Sequence, residues 1–204
     1  MSKSIFLLRH GQTVFNAQQR LQGHCNSDLT DLGQQQALAI GLSLKNKLAN
    51  KRQWTIYSSP LGRAIQTAEI VANQIGIDPS QIVKDVRLQE FCLGDWEQTY
   101  IPDIKEKQPR LCDQRDWYLM APNAESYYAV KDRIEDFLAD ISVSDNAIII
   151  SHGLTGAVFR GVYVGMTYNE VFSQDLPQNA YFLLANDKIS RIQCDIEPAV
   201  TLAV

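Results

Sequence analysis

An arginine and a histidine stand side by side where an apolar segment near the start of the chain gives way to a glycine. Residues 5–8 are continuously apolar, which is typical of a short strand buried on both faces of a parallel sheet. Arg9 and His10 follow this run directly, and open α/β sheets carry their ligand sites at the carboxyl ends of such strands. A guanidinium attracts anions and a neutral imidazole nitrogen is a nucleophile. The pair therefore predicts an anion site that contains a nucleophile, with an ion-paired Arg9 and a structural His10 as the alternative.

Two more strand-to-helix junctions carry a cation or an imidazole. Arg63 falls in the first turn of a helix predicted over 60–75, where a cation opposes the helix dipole unless an anion joins it; a solvated surface arginine is the alternative. His152 follows the apolar run 147–150 and precedes Gly153. Right-handed crossovers bring such junctions to one edge of a mostly parallel sheet. We therefore expect the two arginines and the two histidines to surround one crevice.

Strands that alternate with helices along the chain predict the scaffold that must hold these residues. Apolar runs and turn signals indicate strands at 5–8, 54–57, 82–88, 147–150, 180–185 and 188–194, and helical spacing indicates helices at 30–50, 60–75, 125–141 and 154–163. The second of these helices is expected to begin at Pro60 with Ser59 as its cap. Residues 16–26 are interpreted as a loop, and 99–123 as short helical pieces that form a cap or lid. The pattern predicts an α/β fold, a three-layer sandwich with a mostly parallel central sheet flanked by helices, in a single domain over 1–204.

The composition indicates an ordinary globular protein and narrows the range of partners. The 204 residues carry a net charge of -4, which argues against nucleic acid or an anionic membrane as the main partner. The four cysteines are scattered without a C-x-x-C pair and the three histidines are dispersed, so neither a disulfide framework nor a metal site is expected. No apolar run has the length of a signal-peptide core or a membrane span. We expect a cytoplasmic protein that uses no cofactor.

Five motifs follow one another along the chain. They are Leu8-Arg9-His10-Gly11-Gln12-Thr13 with Asn16, residues 29–37, residues 58–68 around Arg63, residues 88–97 around Leu88-Gln89-Glu90, and Ser151-His152-Gly153. In this order they resemble the signature segments of the histidine phosphatases, the superfamily that includes the cofactor-dependent phosphoglycerate mutases. The resemblance covers nearly the whole chain, and five matches in the family's order make chance agreement remote. It implies a phosphoglycerate mutase-like fold and phosphoryl transfer through a phosphohistidine.

The resemblance also implies a role for each motif residue. His10 would attack phosphorus, Arg9 and Arg63 would hold the phosphoryl oxygens with bidentate forks, and His152 would add a donor. Glu90 would be the general acid and then the base toward water. The carboxylates that compete with it for this role are Glu97 and Asp95. The residues expected to bind the phosphate group are Gly11, which allows a close backbone approach, Asn16, Gln22, Gly23 and Gly153.

The segment between the acid motif and the second histidine distinguishes two enzyme functions. In the family, a mutase holds a second acidic group of its substrate with extra basic residues on a longer insertion, whereas this segment is short and its basic residues are dispersed. They are Lys105, Lys107, Arg110 and Arg115. We therefore expect a metal-independent phosphomonoester hydrolase that acts on a small phosphorylated metabolite. Phosphoglycerate mutase-type phosphoryl transfer is the first alternative and an inactive phosphate-binding scaffold is the second.

The pocket walls suggested by the sequence are mixed but largely apolar, which indicates a ligand less charged than a sugar bisphosphate. The residues expected to form them are Phe15, Cys92, Tyr127 and Leu154. The sequence indicates no oligomeric state.

Overall fold

The computed structural model describes residues 4–48, 54–141 and 146–196 of the chain. The strands are β1 (Ile5–Arg9), β2 (Trp54–Ser58), β3 (Val83–Lys84), β4 (Asn146–Ser151), β5 (Ala180–Ala185) and β6 (Lys188–Gln193). The α-helices are α1 (Val14–Ala17), α2 (Asp31–Lys47), α3 (Gly62–Ile75), α4 (Ile101–Lys107), α5 (Tyr127–Asp140), α6 (Gly153–Val164) and α7 (Tyr168–Val171). Each strand and each of the four long helices predicted from the sequence is therefore present.

The six strands form one sheet in the order β3-β2-β4-β1-β5-β6. Strands β1 to β4 are parallel, whereas β5 and β6 add an antiparallel edge. β1 pairs with β4 from Ile5 opposite Ala147 to Arg9 opposite Ser151. The carboxyl ends of these two strands lie side by side as a result. The predicted α/β fold with a mostly parallel sheet is confirmed.

Alternate residues of the central strands face opposite sides of the sheet, and a pair of helices covers each side. Ile5 and Leu7 belong to a buried cluster that includes the apolar faces of α5 and α6. Phe6 and Leu8 belong to a second cluster, built with α2 and α3. Because β1 is covered on both sides, its sequence is an unbroken apolar run and not an alternating one. The result is the predicted three-layer sandwich.

Helix α3 begins two residues later than the sequence predicts. Pro60 and Ser59 were expected as its first residue and its cap, but the helix begins at Gly62 and Leu61 occupies the cap position. The Ser59 hydroxyl lies 2.8 Å from Nε2 of His152, a contact between distant parts of the chain. The same hydroxyl accepts a hydrogen bond from the backbone N–H of Leu61 at 3.3 Å, one residue before the helix begins, so α3 has no side-chain cap. The arginine of this motif nevertheless stays in the first turn of α3.

Strand β3 is shorter than the strand predicted over 82–88. The Asp85 carboxylate accepts a hydrogen bond from the backbone N–H of Arg87 at 2.8 Å and also pairs with the Arg87 guanidinium. These contacts turn the chain into a 3-10 helix at Val86–Leu88. The strand therefore ends at Lys84, and the chain is redirected toward the acid motif.

The loops near the carboxyl edge contain more helix than expected. The predicted loop over 16–26 overlaps the end of α1, which Thr13 caps in a reciprocal pair of hydrogen bonds with Asn16. The segment 99–123 contains α4 and two 3-10 turns, Leu111–Asp113 and Trp117–Met120, in keeping with the predicted short helical pieces. Its role as a lid and the single-domain organisation stay predictions. The expected end of α2 near Asn50 lies outside the described residues. No helix in the described part of the chain is long and apolar enough to cross a membrane.

Candidate active site

Strands β1 and β4 bring two distant histidines together. The backbone N–H of His10, just after β1, donates to the carbonyl oxygen of Ser151 at the end of β4, at 3.1 Å. His152 follows immediately, and the two imidazole rings have centroids 5.1 Å apart. Both side chains are almost fully buried. Parallel pairing of two neighbouring strands is therefore what assembles this pair.

The surroundings of His10 distinguish its two ring nitrogens. Nδ1 lies 2.7 Å from the carbonyl oxygen of Gly11. Because a carbonyl oxygen only accepts hydrogen bonds, Nδ1 carries the proton of the neutral ring. Nε2 accepts a hydrogen bond from Nε of Arg63 at 3.2 Å. The lone pair of the neutral imidazole is therefore on Nε2.

Arg63 reaches His10 from the first turn of α3 and is itself held by a loop. Its two terminal nitrogens donate to the carbonyl oxygens of Cys25 at 2.8 Å and Gly23 at 2.7 Å. The expectation of a free bidentate fork needs correction, because the loop carbonyls occupy one hydrogen on each terminal nitrogen. One hydrogen on each remains for a ligand.

Burial and neighbouring charge keep the histidines neutral. Burial lowers the pKa of His10 well below its ordinary value of 6.5, and the charges of Arg63 and Arg9 lower it further. Burial and Arg63 lower the pKa of His152 in the same direction. Burial also lowers the pKa of Arg63 to about 10, which leaves this guanidinium charged at neutral pH. The site thus combines neutral imidazoles with permanent positive charge.

Two further basic groups present unused nitrogens. His152 contacts Ser59 through Nε2, and its buried Nδ1 has no hydrogen-bond partner in the described structure. Arg9 donates through Nη1 to the carbonyl oxygen of Leu176, while its buried Nε likewise has no partner among the described residues. Buried polar atoms without partners are uncommon in folded proteins. Both atoms suit a ligand that supplies acceptors, such as a phosphate group.

Glu90 is held at the N-terminus of α6. Its Oε1 accepts hydrogen bonds from the backbone N–H groups of Phe91 at 3.0 Å and Thr155 at 2.9 Å, and from the Thr155 hydroxyl. Its Oε2 accepts from the backbone N–H of Leu154 at 3.1 Å. The Thr155 hydroxyl also contacts the carbonyl oxygen of Gln89, which fixes the acid segment to α6. The Thr155 hydroxyl has one hydrogen, which can go to only one of these two acceptors. Oε1 therefore has two backbone donors and Oε2 has one, so Oε2 is the better placed oxygen to exchange a proton.

The competing carboxylates have other partners. Glu97 accepts hydrogen bonds from the backbone N–H groups of His24 and Leu93 and from the Cys25 thiol. It therefore holds the loop whose carbonyls bind Arg63. Asp95 accepts from the side chain of Asn123. Neither lines the pocket described next, whereas Glu90 does.

A pocket of about 310 Å³ opens in front of His10. Of the predicted catalytic residues, Arg9, His10 and Glu90 line it, while Arg63 and His152 contact the His10 ring without lining it. The predicted phosphate-binding residues that line it are Asn16, Gln22, Gly23 and Gly153. The side chains in its lining that the sequence did not indicate are Arg20, Leu21, Leu93, Ile101, Trp117, Tyr118 and Leu176.

The polar lining offers donors to a phosphate group. The Oδ1 atom of Asn16 accepts a hydrogen bond from Gln178 at 2.9 Å, which leaves its amide nitrogen as a donor. Gln22 is buried; its Oε1, an acceptor, has no partner in the described part of the chain, so the group that can donate to a phosphate is its amide nitrogen. Gly153 stands at the start of α6, where a Cβ atom would lie 3.3 Å from the Arg9 guanidinium carbon.

Four residues expected at the pocket lie outside its lining. Gly11 lies outside the lining: its N–H donates to Thr67, and a Cβ would lie 2.2 Å from the carbonyl oxygen of Gly33, so the close approach is made to α2 and not to a ligand. Leu154 lines the pocket as expected. The other suggested wall residues, Phe15, Cys92 and Tyr127, do not. Tyr127 instead packs against Tyr168 and Phe172 in the core.

Metal binding finds no support in the described residues, where no group of three or more His, Cys, Asp or Glu side chains is placed to hold an ion. The positive charge of the site comes from guanidinium groups. The arrangement suits nucleophilic attack on an anionic group, with Glu90 in the pocket to move a proton.

Comparison with known proteins gives a family match. Residues 5–187 match the model of the histidine phosphatase superfamily, branch 1. Proteins named probable phosphoglycerate mutase from Citrobacter koseri and Escherichia coli are 32% identical, and each match covers 79% of this chain and 75% of the relative.

Solved structures with the same fold include proteins named as phosphatases. A mycobacterial glucosyl-3-phosphoglycerate phosphatase is 27% identical with a TM-score of 0.76, and the match covers 95% of this chain and 98% of that one. The alpha-ribazole phosphatase from Shigella flexneri is 22% identical with a TM-score of 0.75, covering 94% and 96% of the two chains, a likeness that shows the fold alone.

Proposed function

The chain belongs to the histidine phosphatase superfamily, branch 1, and from the geometry of its site we propose that it is a metal-independent phosphomonoesterase that acts through a phosphohistidine on a small phosphorylated metabolite. The observation that carries the proposal is the orientation of His10, whose Nδ1 is bonded to Gly11 while Nε2 accepts a hydrogen bond from Arg63. A neutral imidazole held in this way presents its lone pair to one side only.

In the first step, Nε2 of His10 attacks phosphorus in line with the ester bond. The N–P bond forms as the P–O bond to the alcohol breaks, and Glu90 gives the departing alkoxide a proton. In the second step, Glu90 takes a proton from water, the oxygen of that water attacks phosphorus, and the N–P bond breaks. The products are the alcohol, inorganic phosphate and regenerated His10.

Arg63 would act differentially between the ground state and the transition state. Its Nε–H donates to Nε2 of His10 in the free enzyme, and that lone pair disappears as the N–P bond forms. The same N–H then turns to a phosphoryl oxygen, so the interaction is gained during reaction. Arg9 and His152 supply the other donors, and a preorganised donor of this kind contributes about 3 kcal/mol to transition-state stabilisation.

Mutase-type transfer is the second candidate, and two observations favour it. The curated relatives are named phosphoglycerate mutases, and Arg20 adds a cation to the pocket beyond the catalytic set. Arg20 is exposed and one terminal nitrogen already donates to the carbonyl oxygen of Gln98. Arg20 alone, already hydrogen-bonded to Gln98, is a weak binding site for a second acidic group of a substrate. Hydrolysis is therefore the better supported reaction.

Hydrolysis of 4-nitrophenyl phosphate in the presence of a chelator tests the proposal. We expect release of inorganic phosphate without added metal, and loss of this activity in His10→Asn. The control is Lys188→Ala, a substitution at an exposed position of the edge strand β6, purified in the same way. It should keep wild-type activity. Turnover that depends on added metal, or turnover that survives His10→Asn, would contradict the proposal, and phosphoryl transfer to 3-phosphoglycerate faster than transfer to water would favour the mutase.

A further inference from the structure

The lining of the pocket combines catalytic candidates with apolar side chains. The catalytic candidates in it are Arg9, His10 and Glu90, and its apolar residues, called the apolar wall below, are Leu93, Ile101, Trp117, Tyr118, Leu154 and Leu176. Trp117 and Tyr118 come from the segment 99–123, and Leu154 from the first turn of α6. A substrate whose phosphate reaches His10 therefore meets these apolar side chains in the same pocket.

The aromatic part of the wall is fixed before any ligand arrives. The Trp117 ring packs against Trp96 with centroids 6.0 Å apart and against Tyr118 with centroids 5.7 Å apart. Tyr118 in turn packs against Phe172 at 6.4 Å. Rings held in this way lose little conformational freedom on binding, which favours stacking with a flat ligand.

A hydrogen bond to the residue before Trp117 holds the segment that carries the aromatic part of the wall. The Tyr168 hydroxyl donates to the carboxylate of Asp116, which precedes Trp117. Burial, followed by the negative charge of Glu90, raises the pKa of Tyr118 above its usual value. Its phenol is therefore a neutral donor in the lining of the pocket.

Beyond the catalytic set, the pocket lining has little positive charge for a second anionic group. Arg20 is the cation that lines the pocket outside the catalytic set, and it is engaged with Gln98. The basic residues of the 99–123 segment do not line the pocket: Arg115, for example, donates to the carbonyl oxygen of Ser173. An acid or a second phosphate placed here would lose hydration without gaining a partner, which is costly.

We infer that the substrate is a monophosphate ester whose alcohol carries a flat apolar group, an aromatic ring or its equivalent, that stacks on Trp117 and Tyr118. This inference rests on the proposed phosphatase function for its reaction, but the stacking itself is a binding property. Sugar bisphosphates and phosphoglycerates, whose remaining atoms are charged or hydroxylated, fit the apolar wall poorly.

Binding of two phosphonates tests the inference independently of catalysis. Calorimetry would give the dissociation constants of benzylphosphonate and methylphosphonate, which share a head group and differ in the ring. We expect the wild type to favour the benzyl compound, and Trp117→Ala to reduce that preference by about tenfold, the effect of one well-placed aromatic contact. Trp117→Phe should retain most of the preference.

The matched control is Tyr128→Ala, which removes an exposed aromatic ring of α5 outside the pocket and should leave the ratio of the two constants at its wild-type value. Equal affinity for both phosphonates in the wild type would overturn the inference, as would a preference that survives intact in Trp117→Ala.

Turnover of benzyl phosphate and glycerol 1-phosphate, measured beside binding, separates the two proposals. A benzyl preference in binding with no hydrolysis of either ester would refute the phosphatase function and keep the stacking site.

Discussion

At the scale of single residues, the site depends on which atoms already have partners. His10 has one ring nitrogen bonded to Gly11 and the other directed at Arg63. Glu90 has two backbone donors on one carboxylate oxygen and one on the other. The proposed assignment of nucleophile and proton donor rests on these differences between the atoms of each side chain.

Glu90→Gln should separate the two chemical steps. The amide keeps an acceptor for the Thr155 N–H but cannot exchange a proton, and loss of general acid–base catalysis costs about 10²–10⁴-fold in rate. Because 4-nitrophenolate leaves without a proton, the first step should survive while attack by water fails. Stopped-flow measurement should then show a burst of one equivalent of nitrophenolate followed by slow turnover.

The control for this variant is Glu69→Gln, the same substitution at an exposed position of α3, which should show wild-type kinetics without a slow second phase. Wild-type steady-state turnover in Glu90→Gln would show that another group moves the proton.

Residue types predicted the reactive centre but not its surroundings. Arg9, His10 and His152 could be recognised because they follow apolar runs at strand ends. The apolar wall could not, since Trp117 and Tyr118 lie in a 3-10 turn whose sequence has no period to read. The hydrogen bonds from Arg63 to the loop carbonyls could not be predicted either, because every residue has a backbone carbonyl and the sequence does not show which one accepts.

At the scale of elements, α2 contacts the loop after β1 at a point that tolerates no side chain. Gly11 and Gly33 face each other, and a Cβ built on Gly33 would lie 2.0 Å from the carbonyl oxygen of Gln12. Thr30 caps α2 by accepting from the Gly33 N–H and donates to Gln12. The start of the helix thus fixes the backbone that carries the nucleophile.

Gly33→Ala should destabilise the fold and impair the site. The clash is with backbone, so α2 or the loop after His10 must move, and such overpacking costs about 1–3 kcal/mol. Urea unfolding would measure the loss of stability, and kcat for an aryl phosphate should fall with it.

Gly156→Ala is the matched control, because the same change in α6 meets no atom within 4 Å. It should be neutral or stabilise by about 0.5–1 kcal/mol through helix propensity. Equal stability of the two alanine variants would show that the close approach does not constrain the fold.

Element boundaries show where local sequence rules stop working. Thr30 caps α2 by accepting from the Gly33 N–H, although its hydroxyl also donates to Gln12. The Ser59 hydroxyl accepts from the Leu61 N–H and contacts Nε2 of His152, but the helix begins only at Gly62. The Ser-Pro pattern therefore predicts that a helix follows β2 but not the residue at which it begins.

At the scale of the whole molecule, the site exists only in the folded sheet. His10 follows β1, His152 follows β4 and Arg63 follows β2, three parallel neighbours whose order is β2-β4-β1. The topology could be anticipated because parallel crossovers place these junctions on one edge. The strand order itself comes from packing against both helix layers, which no single segment of the sequence contains.

Burial of two neutral histidines should make the fold sensitive to acid. The pKa values of His10 and His152 lie well below 6.5 in the folded state, so the unfolded chain binds more protons as pH falls below that value. Stability is therefore lost with falling pH until the folded pKa values are reached, by at most about 1.4 kcal/mol per pH unit for each histidine.

Urea unfolding between about pH 7 and about pH 5.5, above the range of ordinary carboxylate titration, measures this loss. The His10→Asn/His152→Asn double variant should lose less stability across that interval than the wild type. Equal slopes for the two proteins would contradict the assignment of buried neutral histidines.

The central claim is that Nε2 of His10 becomes bonded to phosphorus during turnover. Rapid acid-free quench of Glu90→Gln with an aryl phosphate, followed by peptide mapping and phosphorus NMR, tests it most directly. We predict an alkali-stable, acid-labile phosphoryl group on Nε2 of His10 that forms at the rate of the nitrophenolate burst. The group should be absent from the double variant that also carries His10→Asn. A burst without phosphate on His10, or phosphate on Nδ1 or on another residue, would contradict it.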